Sequence, residues 1–248
     1  MLGINNKPYV SLDKYLTLSD QQWNDIYYEI CLGMAKSENI FPLSYYPKDQ
    51  VYWPHHQEAI KLPQDVKYEK LSDRQKMTIK SLDWKHRFRF LKYYGGVYFS
   101  ENQTLLLTKT DNPVSGYFDR EKESEFTDEA RQNFSKTIDM LKNSGIFESI
   151  GRVIIWGQDP YQPVLTHKDQ TGVKVDYFLH INPARNKKFF IFDEGKDKKY
   201  YTDSNRLIMF NNADWHGCDP QPHFSLSLKV SGLFNADIIK DLDYKLPK

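Results

Sequence analysis

From residue 151 onward the chain breaks into short apolar or aromatic runs separated by Gly, Pro, Asn and Asp: RVIIWG, VLTH, VKVDYFLHIN, KKFFIFDEG, KKYYTDS, NRLIMFNN and HFSLSLKVSG. Runs of this length, rich in β-branched and aromatic residues and bounded by turn formers, predict strands. Several in close succession predict a sandwich or barrel. HFSLSLKVSG alternates strictly, with His223, Ser225, Ser227 and Lys229 on one face and Phe224, Leu226, Leu228 and Val230 on the other. Because strand side chains alternate sides, this predicts a strand with one polar and one apolar face.

The first 150 residues have a different texture. Ser19-Asp20-Gln21-Gln22 is a Ser-x-x-Gln capping box that predicts a helix running to Met34, and Ser72-x-x-Gln75 repeats the signature. Thr127 to Lys142 predicts another helix, with Phe134, Ile138 and Leu141 on one stripe and Asn143-Ser144-Gly145 as its stop. GVYFS and TLLLTKT, joined by ENQ, predict a hairpin that extends the main sheet. The expected organisation is a mostly β protein with flanking helices: residues 1–150 as an α-rich support, 151–234 as a β core, 235–248 as a tail, all in one integrated unit.

Composition narrows the function classes. With 248 residues, 40% of them hydrophobic and 15% aromatic, the chain can bury a substantial core. A net charge of +1 provides no global field toward nucleic acid or anionic membrane, which disfavours both without excluding nucleic acid. The two cysteines, Cys31 and Cys218, form no CxxC motif and no disulfide framework, the usage expected in a reducing compartment. No apolar run approaches the ~20 residues of a membrane span, and MLGINNKPYVSLDKYL lacks a signal-peptide pattern. The expectation is a soluble, cytoplasmic protein.

The candidate chemistry lies in the β-rich part. VLTHKDQTG contains His167 and Asp169, and His216 in FNNADWHG follows 47 residues after Asp169. In an extended strand, residues two apart share a face, so His167 and Asp169 would project together while Lys168 points away. Two imidazoles and one carboxylate suit Fe(II) and leave coordination positions open. Residues 41–56 and 84–96 add aromatic-rich stretches, one suited to a loop over a pocket and one interleaving basic and aromatic residues as nucleic-acid surfaces do, although at near-neutral net charge a solvated face is the expectation. His55 and His56 have no carboxylate at ligand spacing.

From Gly151 to Phe234 the chain resembles the Fe(II)/2-oxoglutarate-dependent dioxygenases. A Gly/Pro-rich approach ends in THKD, a Tyr-rich strand ends in LHIN, a Lys-rich turn leads into FFIFDEG, a run enters FNNADWHG, and a final strand follows. The resemblance implies a double-stranded β-helix (a jelly roll, cupin-like) with His167 and Asp169 on its second strand and His216 near its seventh. It implies Fe(II), 2-oxoglutarate and O2 as cofactors and cosubstrates, with succinate and CO2 as coproducts. The implied reaction is hydroxylation at a C–H bond of a peptidyl or free amino acid or a related small molecule.

The same resemblance implies a cation on the final strand for the distal carboxylate of 2-oxoglutarate. The chain has no Arg there; Lys229, 13 residues past His216, is the candidate, with Ser227 or Ser225 as a second donor and Lys187, Lys188 and Arg206 next in line. Gln158 and Tyr177 are further cosubstrate candidates. Trp156 and Tyr161 are expected as core or rim aromatics, His180 as a hydrogen-bonded core histidine, and Cys218 as a free thiol.

Two other readings compete. VIIWGQDPY resembles the water-activating loop of uracil-DNA glycosylases, which would give Asp159 a catalytic role; the alternative is a plain Asp159-Pro160 turn. The other is a cupin-like metal-binding protein without catalytic activity.

Overall fold

The computed structural model describes residues 3–36, 40–41, 50–53, 58–61, 102–109, 123–158, 163–168 and 177–242. Residues 1–40 and 102–248 form one compact unit and residues 41–101 a second. In the second, β3 (Gln50–Trp53) and β4 (Glu58–Lys61) pair as an antiparallel hairpin. The Ser72 capping box, the GVYFS strand and the aromatic stretch 84–96 lie outside the described residues.

The first unit is built on two antiparallel sheets. The larger runs β1 (Tyr9–Ser11), β11 (Leu207–Asn211), β8 (Tyr177–Ile181), β13 (Ser225–Phe234), β6 (Phe147–Gln158) and β5 (Asn102–Leu106), with Ile40 of the short β2 (Ile40–Phe41) at its edge. The smaller runs β10 (Lys198–Tyr201), β9 (Phe189–Asp193), β12 (Trp215–Cys218) and β7 (Val164–His167). From β6 to β13 the chain therefore passes back and forth between the sheets, with β9 and β10 consecutive in the smaller one, in the winding of a double-stranded β-helix. The mostly β fold with flanking helices read from the sequence is the fold observed, with β7 second and β12 seventh of the eight core strands. β5 extends the larger sheet along β6, but it begins at Asn102, so Asn102 and Gln103 of the ENQ segment expected as a turn are paired strand residues.

Alternation sorts the side chains of the larger sheet. Leu226, Leu228 and Val230 of β13, Tyr177, Leu179 and Ile181 of β8, and Leu207 and Met209 of β11 join one buried cluster with residues from α1 (Asp20–Lys36), α2 (Asp128–Asn133), α3 (Ser135–Asn143) and α4 (Ala236–Asp241). The opposite face supplies Phe178, Ile208 and Phe210 to a second cluster, completed from the smaller sheet by Phe189, Ile191 and Cys218. One face of the larger sheet is thus backed by helices, and the other closes the barrel.

The helices follow their caps. Ser19 and Gln22 form the reciprocal box, with the Ser19 N–H donating to Gln22 Oε1 at 2.8 Å and the Gln22 N–H to Ser19 Oγ at 3.2 Å. Thr127 caps α2 by accepting from the Ala130 N–H at 3.0 Å. The single helix expected over 127–142 is instead two, α2 and α3, because Phe134 leaves helical geometry at φ −136°, ψ 37°. Its ring is wholly buried against Gly33 of α1, where an added Cβ would lie 2.3 Å from the ring. Glu29 of α1 then satisfies the open end of α3, accepting from the Lys136 and Thr137 N–H groups at 2.8 Å each.

Candidate functional site

His167 and His216 are directly paired across β7 and β12, and their ring centroids lie 4.5 Å apart. The local register explains how. His216 pairs with His167 but Cys218 pairs with Val164, so three steps on β7 oppose two on β12. That extra residue is a β-bulge, a device that re-aims side chains at sheet sites. Gly217 sits within it: an added Cβ would meet the Val164 carbonyl oxygen at 2.6 Å and the Phe190 ring at 2.9 Å. Only glycine permits β12 and β7 to approach so closely there.

His216 is fully buried, flanked by the rings of Phe210 at 5.4 Å and Phe189 at 5.8 Å. Its Nδ1 lies 2.8 Å from the Asp214 carbonyl oxygen. A carbonyl only accepts, so Nδ1 carries the proton and Nε2 keeps its lone pair. That orientation is how a protein presents an imidazole to a metal. The Asp214 carboxylate in turn accepts from the Gly3 N–H at 2.7 Å, tying the N-terminal segment to the turn that bears His216. Two adjacent imidazoles, one with a defined ligating nitrogen, fit Fe(II). Asp169 lies outside the described residues, as do Asp159 and Tyr161. Among the described residues no group of three His, Cys, Asp or Glu side chains could hold a metal ion.

Lys229 lies on the barrel-facing side of β13 and is buried, with 3% of its surface exposed. Its Nζ donates to Asn212 Oδ1 at 2.7 Å and sits 4.2 Å from the Phe178 ring centroid, with Trp156 at 5.1 Å and Phe210 at 5.9 Å. Ser227 pairs with Trp156 and Ser225 with Gln158 across β13 and β6. Gln158 is buried, donates to the Asp219 carbonyl at 3.1 Å and accepts from Ser225 Oγ at 3.5 Å. Gln158, Ser225, Ser227 and Lys229 thus form one polar strip inside the barrel.

Tyr177 does not join them. It stands on the helix-backed side of β8 with Leu179 and Ile181, on the face opposite Phe178 and His180. Of the reserve anchors, Arg206 reaches outward to Asp20 at 2.8 Å and Lys188 pairs with Asp203. Lys187 is the exception. It is wholly buried, and its Nζ donates to the Trp156 carbonyl at 3.0 Å, with burial depressing its pKa.

His180 was expected to be a hydrogen-bonded core histidine; its Nε2 is buried and unbonded. The ring stacks on Phe189 at 4.3 Å, and burial, then Lys187, Lys229 and His216, hold its pKa well below the usual imidazole value. Burial and these cationic neighbours all favour its neutral form. The alternation of YFLHI could have placed it on the barrel side with Phe178; nothing in the sequence marked it as unbonded.

No protein-family model and no curated protein matches the sequence. Solved structures similar to it are 2OG-Fe(II) oxygenases and related proteins. OsALKBH1 is 12% identical, with 90% of this chain and 97% of that one covered and a TM-score of 0.43. A 2OG-Fe(II) oxygenase family protein from Burkholderia pseudomallei is 11% identical over 53% of this chain and 68% of its own, with a TM-score of 0.35. A prolyl-4-hydroxylase from Pseudomonas putida is 12% identical over 54% and 70%, with a TM-score of 0.31. At such values the likeness carries no functional argument, and the fold assignment stands on the strand order.

Proposed function

We propose that the chain is an Fe(II)- and 2-oxoglutarate-dependent oxygenase that hydroxylates a C–H bond of a peptidyl or free amino acid or a related small molecule. The observation that carries this reading is the pairing of His167 with His216 across a bulge, on the second and seventh strands of a double-stranded β-helix. With Asp169, these residues would hold the metal. Bound iron and 2-oxoglutarate would supply the oxidative chemistry, consuming O2 and releasing succinate and CO2.

The chain's own groups would bind, orient and exclude water. His216 offers Nε2 because the Asp214 carbonyl holds the proton on Nδ1. Lys229 would neutralise the distal carboxylate of 2-oxoglutarate as a point charge, with Ser227 or Ser225 donating a further bond. Gln158 closes the strip beyond Ser225. Phe178, Phe189 and Phe210 wall the space between the sheets and lower its effective dielectric, which strengthens any cation–carboxylate pairing inside it.

The glycosylase reading finds no comparable support. Gly157 and Gln158 continue β6 as antiparallel partners of Leu226 and Ser225, within an antiparallel sheet rather than an α/β domain. The test is conversion of 2-oxoglutarate to succinate under air with Fe(II) and ascorbate. The expected result is turnover in the wild type and none in His216→Ala; absence of both turnover and 2-oxoglutarate binding in the wild type favours a cupin-like binding protein.

A further inference from the structure

The barrel interior contains polar groups that its own packing leaves unused. Among the described residues His180 Nε2 and Ser227 Oγ are both buried without a hydrogen-bond partner, and such groups are rare enough in folded proteins to need an explanation. Their placement is not scattered. His180 is the direct cross-strand partner of Lys229, and Ser227 stands two residues away on the same face of β13. Cross-strand partners project to the same side, so imidazole, ammonium and hydroxyl all face the interior together. A third unbonded atom nearby, Asn182 Oδ1, is an acceptor and has nothing to offer an anion.

Neutrality makes His180 suited to a particular task. A protonated imidazole between Lys187 and Lys229 would add a third buried positive charge, and burial with both ammoniums opposes it. A neutral imidazole still has one N–H to donate. Stacking on Phe189 at 4.3 Å and 18° fixes the plane in which that donor lies. A carboxylate brought to Lys229 would meet the charge of the lysine, the hydroxyl of Ser227 and an oriented N–H.

We propose that His180 is a specificity-determining residue that donates from Nε2 to the carboxylate anchored by Lys229, so that the pocket selects a keto acid with a distal carboxylate over one without. This rests on the oxygenase reading above. It assigns to His180 a contact with the ligand rather than a packing role.

The experiment measures binding to the Mn(II)-loaded protein by anaerobic calorimetry, with two probes: 2-oxoglutarate and 2-oxopentanoate, which has the same chain length and no distal carboxylate. His180→Phe retains a ring to stack on Phe189 and removes the donor. The expected result is a loss of about 10- to 100-fold for 2-oxoglutarate, the scale of a hydrogen bond to a charged group, with 2-oxopentanoate affinity unchanged. His180→Asn, which restores an N–H donor, should recover part of the loss. Equal losses for both probes, or none for either, would overturn the assignment while leaving the oxygenase reading standing. If His180→Phe does not fold, His180→Leu is read by the same ratio. Failure of the wild-type protein to bind 2-oxoglutarate would overturn the oxygenase reading and this one together.

Discussion

Two faces of a single strand divide the labour of this molecule. On β13, Leu226, Leu228 and Val230 are buried against the helices, while Ser225, Ser227, Lys229 and Ser231 are as deeply buried on the opposite side. The first face is what an interior normally holds. The second places hydroxyls and an ammonium where desolvation works against them. Burial of apolar groups stabilises the fold; of the polar ones, Ser225 bonds Gln158, Lys229 bonds Asn212 and Ser231 bonds the Arg152 carbonyl, while Ser227 Oγ has no partner among the described residues. The contrast separates residues that hold the chain together from residues that, on the proposed reading, would meet the cosubstrate.

The largest expected effect breaks the apolar face. Leu228→Ala removes a fully buried side chain and should cost about 2–5 kcal/mol of stability, read as a lower midpoint in denaturant unfolding, with 2-oxoglutarate affinity unchanged in the protein that remains folded. Lys229→Met does the opposite. It should weaken 2-oxoglutarate binding by about 2–5 kcal/mol, one to three orders of magnitude, while the unfolding midpoint moves less than in Leu228→Ala. Comparable stability losses in both variants would erase the distinction between the faces.

Ser227→Ala sharpens the comparison at smaller scale. Loss of one hydroxyl donor should weaken 2-oxoglutarate binding by about 0.5–1.5 kcal/mol and leave stability unchanged, because Ser227 Oγ has no partner among the described residues. Calorimetry and thermal melts on the same sample separate the two quantities. The smallest effect concerns Cys218, on the barrel side of β12, where burial pushes the thiol pKa up to about 11. Thiolate forms only as pH rises toward that value, so at pH 8 Cys218 should resist iodoacetamide in the folded protein, whereas the partly buried Cys31 should be modified first.

The same contrast shows what was legible in the sequence. HFSLSLKVSG announced its two faces because period two in polarity maps directly onto strand geometry. The barrel strands with aromatic and β-branched runs were equally visible. β12 was not: Trp-His-Gly-Cys is too short to show a period, and its Gly serves the approach to β7 rather than strand propensity. The bulge that aligns His167 with His216 is a property of two strands together, so neither segment reveals it alone. In YFLHI period two sets Tyr177 opposite Phe178 and His180, but which of those sides faces the barrel emerges only from the paired strands. The break at Phe134 arose from a tertiary contact with Gly33, which overrode a continuous helical stripe. His180 lay in plain view, but its lack of a partner exists only in three dimensions.

The most direct measurement is the stoichiometry of Fe(II) binding under anaerobic conditions, for the wild type and for the His167→Ala/His216→Ala double variant, with circular dichroism to confirm that both are folded. The expected result is one iron per wild-type chain and none in the double variant at unchanged secondary structure. Full iron occupancy in the folded double variant would contradict it.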